Sequence, residues 1–411
     1  ASGQTARGDD EVVDGAHAEA ADLVALAERL ADDLSSRAAI HDRDGTYPHE
    51  SIRSLRDAGY LVAPIPADIG GLGVSSVHDL VVASGRLARG DASVAIGVNM
   101  HLIAVMAIAR RLQMAVAAGN PRRTQAFASS LETIVRERSV IAAAQSEAGQ
   151  DLTRPATRAE RTASGWRIDG HKIFCTMSPA ATTLLTAVSF VDDEGVERYG
   201  FVQVPADAPG VTINGDWDAL GMRASGSHSI TLDAVDVPAA AVRGGFPTGE
   251  AVPYLDRNIT SGLFHASASL GIAEAAFGRV AAPDRIRDDA RANMLVAETA
   301  IDLAAARGVI ARAASLVDDH YAAHPADDGS DEEIVAVFSE GQAAKAFVVE
   351  AATRIVDRAL ALSGGAGYLN GSPLARAYRD VRAGAFMHPL GANRAYGFLA
   401  RTALGLRPQL A

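Results

Sequence analysis

The chain has one cysteine, Cys175, and two lysines, Lys172 and Lys345, in 411 residues. A single thiol excludes an intramolecular disulfide framework and any cysteine-clustered metal site, and it fits a reducing compartment. Lysine is so scarce that arginine carries nearly all the positive charge, the bias of a high-GC genome rather than a functional signal. No uninterrupted apolar run of about 18 residues occurs, and the first fifteen residues are polar and acidic without a signal-peptide core. No membrane partner is expected, and the expected location is cytoplasmic. A formal net charge of -12 offers no basic face for counterion release from a polyanion, so nucleic acid is not an expected partner either. No internal repeat is visible. With 48% hydrophobic and 21% charged residues, the chain can bury a large core, and its length favours two or three domains.

The pattern divides into four stretches. Residues 1–15 read as a disordered N-terminus. Residues 16–138 are alanine-rich with apolar residues at three and four, the period of one buried helix face. Helices are predicted at 48–58, 75–89 and 92–117, with Asp91 or Ser93 as N-cap of the last. Residues 139–243 change to short alternating runs such as W-R-I-D-G-H-K-I-F-C-T and H-S-I-T-L-D-A-V-D-V between tight turns, the pattern of a small β domain. Residues 244–411 return to helix periodicity, at about 254–280, 285–320, 331–362 and 390–405, implying a four-helix bundle. An acidic loop, H-P-A-D-D-G-S-D-E-E, interrupts it without an apolar anchor.

Three blocks carry chemistry. The first is I-A-A-A-Q-S-E-A-G-Q-D at 141–151. The second is D-G-H-K-I-F-C-T-M-S-P at 169–179, where strand alternation puts Phe174 and Thr176 on one face and Cys175 on the other. In the third, residues 359–390, Gly364, Gly365, Gly367 and Tyr368 precede Pro373, Arg376 and Tyr378-Arg379-Asp380. In this order and spacing they resemble acyl-CoA dehydrogenases, and the resemblance covers nearly the whole chain after residue 15. It implies an α+β fold: an N-terminal α-helical domain, a central β-barrel domain and a C-terminal four-helix bundle.

The resemblance also implies a flavin, FAD or FMN. Ser146 would meet its pyrimidine edge, Phe174 would cover its ring and Thr176 would face its N5 edge. Gly364, Gly365, Gly367, Tyr368 and Arg379 would approach its phosphate or adenosine part, in relatives across a subunit interface, so a homotetramer is expected. The arginine and glutamine that hold the FAD diphosphate in relatives have no clear counterpart in R-D-D-A-R-A-N-M-L-V, which leaves FMN open. W-D-A-L-G-M-R-A-S-G-S-H at 217–228 is close to the family's G-M-R-x-S-x-T turn, so Arg223 and Ser225 would shape the wall between flavin and substrate.

One departure redirects the function. The family's catalytic glutamate stands nine residues after the Arg of Y-R-D, and nine after Arg379 is His388. The alternative site, ten residues before the glycine of Leu270-Gly271, is Ser261. Neither is a carboxylate, so abstraction of an α-proton loses its general base, a deficit of about 10²- to 10⁴-fold. The histidine resembles that of the family's flavin monooxygenases, as does Ser178 after the second block. His101, on the long N-terminal helix, stands where a second pocket histidine is expected. Histidine and serine donate hydrogen bonds near neutral pH, which suits the stabilisation of a flavin C4a-hydroperoxide. The expectation is a monooxygenase with catalytic His388, His101 and Ser178. It would use O2 and reduced flavin from a separate flavin reductase on a small-molecule substrate. Within that branch the chain resembles the nitrososynthases, which oxidise the amine of a nucleotide-linked amino sugar to hydroxylamine and nitroso. An acyl-CoA dehydrogenase with another base, or an aromatic or sulfur monooxygenase, are the alternatives.

Overall fold

The computed structural model describes residues 8–149, 151–281 and 289–410, without the side chains of 8–21 and Arg243. Five helices come first: α1 (Gly8–Asp44), α2 (His49–Asp57), α3 (Val77–Ala88), α4 (Ala92–Ala117) and α5 (Pro121–Glu137). Of the stretch read as disordered, residues 1–7 lie outside the described residues and the remainder opens α1. Asp91, not Ser93, caps α4, accepting from the N–H groups of Ser93 at 2.9 Å and Val94 at 3.3 Å. This helix is long and apolar enough to cross a membrane, yet 78% of its apolar window is buried inside the protein. Its apolarity is spent on the core it shares with α3 and the later helix Ser261–Val280.

The middle domain is one eight-stranded mixed sheet: β1 (Ile141–Ala144), β2 (Arg158–Arg161), β3 (Gly165–Cys175), β4 (Thr183–Val191), β5 (Glu197–Pro205), β6 (Val211–Ile213), β7 (His228–Pro238) and β8 (Val242–Pro247). The order is β6-β7-β3-β2-β4-β5-β8, with β1 pairing parallel to β4. Its last strand runs past the expected boundary at 243. Trp166, Ile168, Leu184, Val202, Ile230 and Val235 fill its own core.

The helical region that follows is α6 (Ala251–Arg257), α7 (Ser261–Val280), α8 (Ala290–Ala323), α9 (Asp331–Ser363), α10 (Pro373–Asp380) and α11 (Ala392–Ala403). The single helix expected over 254–280 is broken. The Asn258 side chain turns back to the Tyr254 carbonyl at 2.8 Å, and the chain restarts at Ser261. The acidic loop is anchored by charge where no apolar anchor was legible. Arg110 donates to the carbonyls of His324 and Asp327, and Arg111 holds both Asp328 oxygens at 2.9 Å.

The Y-R-D motif clasps the three parts together. Asp380 Oδ1 accepts from the Met222 N–H at 2.6 Å, tying the bundle to the sheet. Arg379 reaches Asp42 at the end of α1 through two hydrogen bonds. A Cβ on Gly221 would lie 2.3 Å from the Arg379 carbonyl oxygen, so only glycine admits this approach.

Candidate functional site

A cavity of about 1300 Å³ lies between α4, the sheet, the α6–α7 break and the segment ending at His388. Single-ligand pockets hold about 300–1000 Å³, so there is room for two ligands side by side.

The sheet contributes an aromatic and hydroxyl wall. Phe174 has a φ of +55° at an irregularity in the β3–β7 pairing, and its ring is 60% exposed, turned away from the sheet core. A bulky residue held in the left-handed region is strained, and such strain persists where the surroundings require it. Trp217 meets the Phe174 ring edge-on, with centroids 6.0 Å apart. Ser146 and Thr176 line the same wall. The Thr176 hydroxyl ends a chain: Ser227 Oγ donates to it at 2.9 Å, which leaves Ser225 as donor to Ser227 at 2.7 Å. The Thr176 hydrogen has only a long contact with the Phe174 carbonyl at 3.4 Å, so it is available to a ligand.

The helical side contributes imidazoles. His388 lines the cavity, half-buried, with Nε2 2.6 Å from Asn258 Oδ1. Lys345 crosses behind it and donates to the carbonyls of Met387, His388 and Leu390, pinning the segment that carries the ring. Burial and the Lys345 ammonium hold His388 down to about 3, and burial pulls Lys345 down to about 7. His265, one turn after Ser261 on α7, also lines the cavity. It is 4% exposed, and both its nitrogens lack a partner among the described residues. Burial, Lys345 and His388 keep it well below the usual imidazole range. The Gln342 amide is buried and likewise without a partner among the described residues.

Charged groups line the cavity as well. Arg111 bridges Asp328 and Asp256, and burial with the nearby Asp328 charge raises Asp256 to about 6. Arg257 stacks on Phe201, 3.2 Å from the ring centroid. It makes no hydrogen bond or ion pair among the described residues. Burial pulls its guanidinium down to about 10, still charged at neutral pH.

The cavity thus gathers Ser146, Phe174, Thr176, Ser261, Arg379 and His388 of the residues expected from sequence. The others stand elsewhere. His101 is fully buried off the cavity wall. Its Nε2 donates to the Leu61 carbonyl at 2.9 Å and its Nδ1 accepts from the Ile141 N–H at 3.0 Å, so both nitrogens are used in tying α4 to the turn after α2 and to β1. Ser178 is fully buried and donates to the Gly226 carbonyl at 3.0 Å. Ser225 lies behind the wall and acts through Ser227. Arg223 turns away to the Asp42 carbonyl and Asp218. Arg379 touches the cavity, but its guanidinium is committed to Asp42. Gly364, Gly365, Gly367 and Tyr368 form a turn apart from this cavity, with Tyr368 81% exposed.

His265, Arg257 and Asn258 were not anticipated. His265 was within reach, because Ser261 had been placed facing the site and the residue four positions on shares its helix face. Arg257 and Asn258 belong to a helix break that apolar periodicity does not signal.

Comparison with known proteins matches the acyl-CoA dehydrogenase N-terminal domain over residues 18–112, the middle domain over 140–235 and the C-terminal domain over 263–389. The chain is 33% identical over 384 residues to L-evernosamine nitrososynthase of Micromonospora sp., covering 91% of this chain and 87% of that protein. It is 32% identical to the amino sugar nitrososynthase DnmZ of Streptomyces peucetius, covering 93% of each. The solved structure of KijD3 in complex with FMN and dTDP-3-amino-2,3,6-trideoxy-4-keto-3-methyl-D-glucose superposes with a TM-score of 0.84 at 30% identity, covering 96% of this chain and 95% of that one.

Proposed function

The chain belongs to the acyl-CoA dehydrogenase family and is an oxidoreductase of it, and from that premise we propose that it is a flavin-dependent N-oxygenase of a nucleotide-linked amino sugar. The observation that carries the reading is the His388 wall, with Ser261 at the alternative base position. No carboxylate stands at either place where a dehydrogenase of this family holds its base, and neutral imidazoles face the cavity there.

The residues present fit a flavin. Phe174 and Trp217 offer an exposed aromatic wall, Thr176 an uncommitted hydroxyl hydrogen, and Ser146 a second hydroxyl. When bound and reduced, the flavin would supply two electrons and two protons to O2. One oxygen atom goes to the amine nitrogen, giving the hydroxylamine, and the other leaves as water. A second turnover would oxygenate the same nitrogen again, and loss of water from the dihydroxylated nitrogen would leave the nitroso product.

The protein's own residues have three tasks in this reading. Thr176, set by Ser227 and Ser225, orients the cofactor edge by donating to it. The apolar lining of Ile96, Met100, Ile103, Leu185, Phe246 and Ile334 keeps water from the oxidising centre. Arg257, a cation with no ion pair among the described residues in a chain of net charge -12, receives the nucleotide diphosphate through bidentate hydrogen bonds. Supply of reduced flavin by a separate reductase and assembly as a homotetramer belong to the same reading. The exposed Tyr368, Leu369 and Phe386 supply apolar surface for that assembly.

The test gives purified protein reduced flavin, O2 and a thymidine-diphosphate amino sugar and follows the sugar by mass spectrometry. Hydroxylamine and nitroso products are expected. Clean oxidation of a phenol or thioether, with every amino sugar untouched, would overturn the amino-sugar reading.

A further inference from the structure

The hydrogen bonds around His388 decide where its proton sits. Asn258 Nδ2 donates to the Tyr254 carbonyl at 2.8 Å, which orients the amide so that Oδ1 faces His388 Nε2 at 2.6 Å. An amide oxygen can only accept, so Nε2 carries the hydrogen. The groups around the ring favour its neutral form. Lys345 of α9 brings positive charge, while Tyr254 of α6 and His265 of α7 are uncharged near neutral pH. No carboxylate pairs with His388 among the described residues. A neutral imidazole with Nε2–H has a bare Nδ1, an acceptor. The donor role expected for this histidine is therefore already spent on Asn258.

We propose that Asn258 is a positioning residue that fixes His388 as the Nε2-protonated neutral tautomer, so that Nδ1 accepts a hydrogen bond from the N–H of a neutral substrate amine. The identity of the ligand rests on the proposed function; the tautomer does not. An amine that donates one N–H to Nδ1 has its lone pair held in a fixed direction relative to the ring, the orientation that attack on an electrophilic oxygen needs. An ammonium at the same place would lose its hydration and, up to about pH 7, would also meet the charge of Lys345, so the site favours the neutral amine. Lys345 has two roles here, pinning the backbone of residues 387–390 and disfavouring positive charge beside it.

The experiment is nitrogen NMR of the full-length protein labelled in histidine, with His388→Ala used to assign the ring. The wild-type ring should show a protonated Nε2 and a bare Nδ1 at neutral pH. Adding a thymidine-diphosphate amino sugar should shift Nδ1 and leave Nε2 in place. Asn258→Asp keeps the side-chain shape but brings a carboxylate, which stabilises the imidazolium. Both ring nitrogens should then be protonated at a pH where the wild type is neutral. Its kcat should fall about ten- to hundredfold, with the acidic limb of the pH profile moved upward. Asn258→Leu should give mixed tautomers, and the isosteric aspartate variant covers the case in which leucine disturbs the helix end. A wild-type ring protonated on Nδ1, or both variants retaining tautomer and kcat, would overturn the proposal. The expected tautomer with Nδ1 shifted by a phenol or thioether, and not by any amino sugar, would uphold the role of Asn258 and sink the amine ligand.

Discussion

Lys172 Nζ lies 2.6 Å from Glu147 Oε1, with the two side chains 0% and 5% exposed. Glu147 also accepts from the N–H groups of Ala156 and Thr157 and from the Thr157 hydroxyl, and Lys172 donates to the Ala187 carbonyl. The pair therefore holds the β1–β2 connection, which carries Ser146, against β3, which carries Phe174 and Thr176. Removing one partner strands a buried charge, so Lys172→Met should destabilise by about 3–5 kcal/mol and weaken flavin binding. Replacing both partners by apolar residues of similar volume should restore most of the stability. Urea unfolding and flavin titration of both variants check this; a Lys172→Met protein within about 1 kcal/mol of wild type would refute it.

Arg257 is the second test. If it receives a diphosphate, Arg257→Leu should raise the KM for a nucleotide-linked sugar about ten- to hundredfold, the loss of a charged hydrogen-bonded contact, with little change in kcat. Steady-state kinetics on the nucleotide-linked sugar and on the same sugar without its nucleotide separate the roles. An equal KM change for both would remove the diphosphate assignment.

Asp380 gives a pH dependence with a definite sign. Burial raises its carboxyl to about 7, against roughly 3.9 in an unfolded chain. The folded state holds a proton that the unfolded state releases, so this stabilisation is full below about pH 4 and is lost as pH rises to about 7. Asp256, raised to about 6, acts in the same direction. Asp380→Asn keeps an acceptor for the Met222 N–H and does not ionise. Its melting temperature relative to wild type should rise between about pH 5 and pH 8. Parallel melting curves across that range would contradict the assignment.

His388→Ala should fold and bind flavin while losing coupling. With the imidazole gone, the amine is no longer oriented, and reducing equivalents should appear as hydrogen peroxide rather than as oxygenated sugar. Peroxide and product measured per reduced flavin consumed decide it. Unchanged coupling would make His388 a packing residue.

The parts of the fold and site that were legible in sequence are those with local signals. Helix period, turn glycines and three ordered motif blocks carried the fold class. Strand alternation placed Phe174 and Thr176 together on the cavity, although Phe174 gets there through a strained φ that alternation does not describe. The residues that went astray are polar side chains with two plausible fates. His101 and Ser178 were assigned to chemistry by resemblance to flavin monooxygenases, and both are consumed by backbone partners that only tertiary packing reveals. Arg379 and Arg223 are committed to Asp42, 337 and 181 positions away in sequence. The contacts of Arg257 and Asn258 arise at a helix break where the Asn258 side chain folds back on its own turn, for which the apolar pattern carries no mark.

The central claim is that an oxygen atom from O2 is placed on the nitrogen of an amino sugar. The direct measurement is turnover under isotopically labelled O2 with enzymatically reduced flavin, followed by mass spectrometry of the nucleotide-linked sugar. The account predicts one labelled oxygen on nitrogen in the hydroxylamine product and none from labelled water under the same conditions. An unlabelled sugar, together with anaerobic bleaching of the bound flavin by an acyl-CoA thioester, would contradict it and return the chain to dehydrogenase chemistry.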